Sequence, residues 1–130
     1  MPEKLKFRRL AGLYCIVRQA ADAVVPVWAT KGDFTSITRT SDELSIVCLA
    51  DAVPKDIDSG LRWVCLKLEG PFAFSQTGIL LSFIEPLSDN GIPIFAISTY
   101  DTDYVLVQEE FAGRALNLLE QAGHELLPRD

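Results

Sequence analysis

The stretch from Gly70 to Val107 constrains the fold of this 130-residue chain more than any other. It reads GPFAFSQTGILLSFIEPLSDNGI over Gly70–Ile92, followed by ISTYDTDYVLV over Ile97–Val107. Within the first part, Ile79, Leu80, Phe83, Ile84 and Leu87 recur with the spacing of one helix face. The second part is two runs of β-favouring residues joined by a short polar turn. A helix followed by a hairpin can bury its apolar stripe only against one face of the sheet that contains that hairpin, so the pattern restricts the chain to a layered α+β architecture.

Extending the pattern in both directions predicts a βαββαβ unit over residues 62–130. Arg62–Leu68 is a strand that Glu69–Gly70–Pro71 interrupts. Pro86 lies inside the helix and removes one backbone hydrogen bond, which bends it. Asn90–Gly91 is the helix stop, with Gly91 in the left-handed conformation. Ile92–Tyr100 and Asp103–Gln108 are strands around a tight turn. Glu109 and Glu110 suit a helix N-terminus. Phe111, Ala112, Ala115, Leu118 and Leu119 mark a second helix ending before Gly123, and His124–Leu127 is a short last strand.

Residues 1–61 repeat this order in abbreviated form. LYCIV (Leu13–Val17) matches WVCLK (Trp63–Lys67) fifty residues on, and SITRTSDELSIV (Ser36–Val47) matches AISTYDTDYVLV (Ala96–Val107) sixty residues on. At that offset Ile37 falls on Ile97, Leu44 on Tyr104, and Glu43 on Asp103. The gap after the first strand leaves room for one helical turn at most, and Asp51–Gly60 is rich in turn residues. The first half is therefore expected to be a small sheet with little helical cover, needing the other half or a second copy of the chain against its apolar face. The N-terminal run Leu10–Val17 follows basic residues as a secretion signal would. It is short, interrupted by Gly12 and Tyr14, and has no cleavage site after it, so it reads as a strand.

Charge and cysteines exclude several function classes. The net charge is −6, and all of it lies in residues 62–130, with four basic and ten acidic residues against eight of each in residues 1–61. Such a chain repels phosphate backbones, so nucleic acid is not an expected partner. No apolar run reaches 18 residues, so no membrane span is expected. Cys15, Cys48 and Cys65 each sit in an apolar run without a CxxC pair. They read as small core residues of a protein in a reducing cytoplasm, with neither a disulfide framework nor a metal site.

Catalytic chemistry finds little to work with. His124 is the only histidine and reads as a surface or partly buried strand residue, so no cysteine has a histidine partner. There is no GxSxG elbow and no phosphate-binding glycine loop, and no cofactor is expected. What does stand out is a carboxylate facing a helix start. Gln76, Thr77, Gly78 and Ile79 present free amides and the positive end of a helix dipole, which suit a carboxylate ligand. Asp103, in the hairpin turn, suits an ammonium group. Ser98, Thr99 and Tyr100 add hydroxyls and a flat wall. Together they match the two ends of a free α-amino acid. Asp101 reads as a turn former.

Residues 62–130 resemble an ACT domain, carried by F74SQTGIL80, E85PL87 and I97STYDTDYVLV107, and residues 34–50 resemble a degenerate first ACT repeat. The pattern is most similar to the tandem-ACT group of small bacterial proteins and the CASTOR-type cytosolic arginine sensors. The resemblance implies two ferredoxin-like repeats (1–61, abbreviated, and 62–130) and a non-catalytic regulatory module that binds an amino acid at a repeat or subunit interface. It also implies an allosteric homodimer with a regulated protein as partner. By position it implies Gln76, Thr77, Gly78, Ile79, Thr99, Tyr100 and Asp103 as ligand contacts. The alternatives are a dimerisation module with a vestigial pocket and, less supported, a small enzyme.

Overall fold

The computed structural model describes residues 4–73 and 76–128. Its elements in chain order are β1 (Lys6–Arg9), β2 (Tyr14–Gln19), β3 (Ser36–Arg39), β4 (Leu44–Leu49), β5 (Trp63–Leu68), α1 (Ile79–Ser88), β6 (Phe95–Ser98), β7 (Asp103–Gln108), α2 (Ala112–Gln121) and β8 (Glu125–Leu126), with single 3-10 turns at Val27–Thr30, Ala50–Ala52 and Glu109–Phe111. They form two compact units, one spanning Ala11–Trp63 and one built from the chain up to Leu10 together with everything from Val64 onward. The run Leu10–Val17 is therefore not one strand. The chain turns at Gly12, which has a positive φ of 80°, and the strand resumes at Tyr14.

In the larger unit the strand order is β6-β7-β5-β1-β8. The N-terminal strand is inserted between the first and last strands of the βαββαβ unit, antiparallel to β5 and parallel to β8. On α1, Phe83 and Leu87 are fully buried one turn apart, while Leu81 on the other side is 60% exposed. Phe83 packs edge-on against Phe7 of β1, with ring centroids 5.1 Å apart. Burying a side chain of this size is worth about 1.5–3 kcal/mol, so the core holds β1 as firmly as the sheet does. Pro86 lies inside α1 without ending it. Gly91 and Gly123, both at positive φ, close the two helices. The strand expected over Ile92–Tyr100 is shorter, because Pro93 cannot donate to a ladder. Glu109 and Glu110 form a 3-10 turn ahead of α2 rather than its first turn.

In the Ala11–Trp63 unit β4 lies between β3 and β2. This unit has only 3-10 turns and no α-helix among its described residues, as expected, but its apolar face is covered from within. Cys15, Val17, Leu44, Ile46 and Cys48 share one face by register, and Ala29, Ala50 and Val53 from the two connecting segments close over it with Trp28 and Ile57. Asp58 accepts from both Nη atoms of Arg62 at 2.8 and 2.7 Å, and the amide of Gly60 donates to the same carboxylate. These bonds hold the Asp58 carboxyl well below the usual carboxylate range. The segment Asp51–Gly60 is thus pinned by charge at Asp58 as well as by the packing of Val53 and Ile57.

The two hairpins superpose in pattern at an offset of 59 residues, not sixty. Ser36–Arg39 corresponds to Phe95–Ser98, and Leu44–Leu49 to Asp103–Gln108. The turn hydrogen bonds agree, with Thr40 N donating to Glu43 O at 2.9 Å and Thr99 N donating to Thr102 O at 2.8 Å. Glu43 therefore corresponds to Thr102, and the residue matching Asp103 is the fully buried Leu44.

Candidate ligand site

The site is assembled by the junction between β5 and α1. Gly70 is required there, since a Cβ would stand 2.9 Å from the carbonyl oxygen of Asp101 and 3.1 Å from the Cβ of Thr102. That close approach lets Phe72 N donate to Asp101 O at 3.0 Å. Thr102, only 6% exposed, donates from Oγ1 to Leu68 O at 2.8 Å and accepts from Thr99 through its own carbonyl. The β6–β7 turn is in this way fastened to the end of β5 and to the segment leading into α1. Sequence reading missed both Gly70 and Thr102 as positioning residues. Gly70 carried only the signal of a strand break before Pro71, and a threonine in a turn carries no mark of burial.

The start of α1 has Gly78 as its cap residue at φ 75°, and among the described residues no side-chain cap bond is made there. The first amides of a helix have no intrahelical acceptor, so this end is suited to an anion. Gln76 folds back on the loop, its Oε1 accepting from Ala73 N at 2.7 Å.

Gln76, Ile79, Thr99, Tyr100 and Asp103 line one hollow of about 170 Å³, with Phe72 at its wall. Thr77 and Gly78 stand at the helix start but do not line it. Phe74 and Ser75 of the FSQTGIL motif lie outside the described residues. Asp103 is half-buried, and one carboxylate oxygen accepts a hydrogen bond from Ser98 Oγ. Ser98 thus acts on Asp103. Tyr100 is 79% exposed at the rim. Among the described residues the hollow is bordered by Asp101 and Asp103 and by no Lys or Arg, so the Asp103 carboxylate favours a positively charged group there.

A second hollow lies beside the same turn, lined by Lys67, Glu69, Gly70 and Tyr104. Burial, and then the neighbouring Cys65 and Asp101, push the Tyr104 phenol above its ordinary value. Burial also pushes Cys48 up to about 11 and Cys65 up to about 12, which keeps these thiols protonated and unreactive. Among the described residues no group of three or more His, Cys, Asp or Glu side chains could hold a metal ion, and no helix is long and apolar enough to cross a membrane.

Residues 58–121 match the family model of the ACT domain, and residues 12–56 match a separate N-terminal-domain model. The chain is 48% identical to Atu0741 of Agrobacterium tumefaciens, whose crystal structure superposes with a TM-score of 0.89 over 98% of this chain and 96% of that one. VC0802 of Vibrio cholerae, 21% identical, shares the fold with a TM-score of 0.74 over 98% and 92% of the two chains. The human protein CASTOR3P is 32% identical across 60% of this chain, and the match spans 56% of the human protein's length.

Proposed function

The chain carries an ACT domain and belongs to the same family as Atu0741, and from that premise we propose that it is a regulatory module that binds a free amino acid beside the start of α1. ACT domains are regulatory modules for small molecules, amino acids above all. The observation that carries the reading is that an uncapped helix start and the Asp103 carboxylate border one small acidic hollow. The ligand carboxylate meets the amides at the start of α1, that of Ile79 inside the hollow and those of Thr77 and Gly78 beyond its edge. Its ammonium group meets Asp103, and Gln76, Thr99 and Tyr100 border its side chain.

The hollow is shallow. Ligand pockets that enclose a small molecule usually measure about 300–1,000 Å³, so this one supplies part of a wall. We therefore propose a homodimer in which a second copy closes the site, so that ligand binding and assembly favour each other. The two hairpins, with the same turn bonds, support a tandem-repeat origin in which only the second repeat keeps a site. A cytoplasmic location and an unidentified regulated protein complete the proposal.

Melting the protein with each free amino acid at millimolar concentration tests this directly. A ligand at 100 times its Kd stabilises the native state by about 2.7 kcal/mol, a shift well above measurement error. No shift with any amino acid would overturn the reading. Light scattering is expected to give about twice the 14.4 kDa chain mass. The hydrogen bond from Ser98 to Asp103 favours one other reading, a vestigial pocket in a dimerisation module, which predicts the dimer without any melting shift.

A further inference from the structure

His124 is 4% exposed and bridges three elements of the larger unit. Its Nδ1 accepts from the amide of Leu5, at the entry to β1, at 3.0 Å. Its Nε2 lies 3.0 Å from the carbonyl oxygen of Ser82 in α1. That carbonyl has lost its helical partner, because the residue four positions on is Pro86, which has no N–H. The partners fix the tautomer: an amide can only donate and a carbonyl can only accept, so Nδ1 is bare and Nε2 carries the hydrogen. A second proton would go to Nδ1 and face the Leu5 N–H. The bond to Ser82 would survive and the bond to Leu5 would not.

The start of β1 is held otherwise by the burial of Leu5 and Phe7, by its pairing with β5 and β8 and by a few bonds at its edge. Glu69 N donates to Lys6 O, Glu125 N to Leu5 O and Leu127 N to Phe7 O, each at 2.8 Å, and Lys4 Nζ reaches Ala122 O at 2.6 Å. We propose that His124 is an acid-operated latch: its neutral ring clips the start of the N-terminal strand into the sheet at Leu5, and its protonation loosens that start while the remainder of the fold stays intact.

The charged groups around the ring set the direction. Lys4 from the β1 side disfavours a second positive charge. Glu85 and Asp89 from α1 line one hollow beside the ring, and Glu120 of α2 with Glu125 of β8 line another. All four acids are exposed and screened by water. Burial first, and then Lys4, lower the His124 pKa, against the opposing pull of the Ser82 carbonyl. With the folded value below the ordinary 6.5, the latch is fully closed above pH 6.5 and weakens as pH falls below it.

Residue-resolved hydrogen exchange on the full chain at pH 7.5 and about pH 5 tests this. The probes are the amides of Leu5, Glu69, Glu125 and Leu127, with Leu49 and Ala50 of the Ala11–Trp63 unit as controls. After correction for intrinsic exchange, probe protection is expected to fall about tenfold relative to the controls. About thirtyfold is the ceiling, set by an unperturbed histidine 1.5 pH units below its pKa. Long-range nitrogen spectra at pH 7.5 should give the Nε2–H tautomer. His124→Asn, if folded, should flatten the pH response. Equal changes at probes and controls, no change at either, or the opposite tautomer would overturn the latch, and the wild-type measurements decide it even if the variant does not fold.

Discussion

The β3–β4 and β6–β7 hairpins have the same length, the same four-residue turn and the same threonine holding it, yet they differ at the two positions that decide chemistry. Where the second hairpin has Thr102 and Asp103, the first has Glu43 and Leu44. Thr102 is buried and tied to β5 through Leu68, whereas Glu43 stays near the surface. Asp103 keeps a carboxylate at the edge of a hollow, whereas Leu44 is wholly inside the core with Ile46 and Cys48. The same backbone pattern therefore carries a core residue in one unit and a half-buried acid in the other. Both residues hold the same place in the ladder, opposite Arg39 and Ser98, so the difference lies in what covers them.

The sharpest way to break this comparison is to give the first hairpin the acid of the second. Leu44→Asp would place a carboxylate at a fully buried position with no cation beside it in the core cluster. Breaking or burying such a charge costs roughly 3–5 kcal/mol, so chemical denaturation should show a loss of that order or no folded protein. A loss under 1 kcal/mol would mean that the position can turn outward, and that the two hairpins are closer in function than their burial indicates.

Asp103→Asn asks the converse question. The amide keeps an oxygen for Ser98 and removes the charge. If Asp103 pairs with an ammonium group, titration calorimetry against the amino acid that gives the largest melting shift should lose on the order of 2–5 kcal/mol, or roughly thirty- to several-thousand-fold in affinity. Asp101→Asn, in the same turn but exposed and acting through its backbone carbonyl, is the control and should change affinity little. Equal small losses would reduce Asp103 to a turn former.

Periodicity shows how far such distinctions were legible. The helix Ile79–Ser88, its proline, its glycine stop and the βαββαβ order of the second half all follow from local pattern, because each is a property of neighbouring residues. Three things were not legible. The insertion of Lys6–Arg9 beside β5 and the burial of His124 depend on partners more than forty residues away, and the register of the hairpins depends on backbone hydrogen bonds that residue types do not display. Leu44 and Tyr104 look equivalent as apolar letters, and only the hydrogen bonds of the turns show that Leu44 stands opposite Asp103. At the site, Gln76, Ile79, Thr99, Tyr100 and Asp103 line one hollow, and Thr77 and Gly78 do not.

Thr102→Val sharpens the comparison at the next position. Valine matches the shape and removes the hydroxyl, leaving Leu68 O without that donor in a buried setting. An orphaned buried acceptor costs about 1–3 kcal/mol, and Thr102→Ser should recover most of it. Glu43→Val, its counterpart, touches nothing comparable and should stay within about 0.5 kcal/mol of the parent. Similar losses for both would remove the distinction between a fastened turn and a free one.

The smallest effect concerns what the two hairpins share. Thr40 Oγ1 accepts from Asp42 N and Glu43 N, each at 3.1 Å, and Thr99 Oγ1 donates to Thr102 O at 2.9 Å. Both hydroxyls are exposed enough for water to replace part of what they do, so each alanine substitution should cost about 0.5–1.5 kcal/mol. The stability losses should be alike, because the turns are alike. Their consequences should not be. Thr99→Ala loosens the turn that carries Tyr100 and Asp103, so it should weaken amino-acid binding as well as stability, whereas Thr40→Ala should leave affinity unchanged. Measuring both quantities for both variants separates the shared backbone device from the function built on one copy of it. If Thr40→Ala weakened binding as much as Thr99→Ala, the first hairpin would be part of the site, and the division of labour between the two would be wrong.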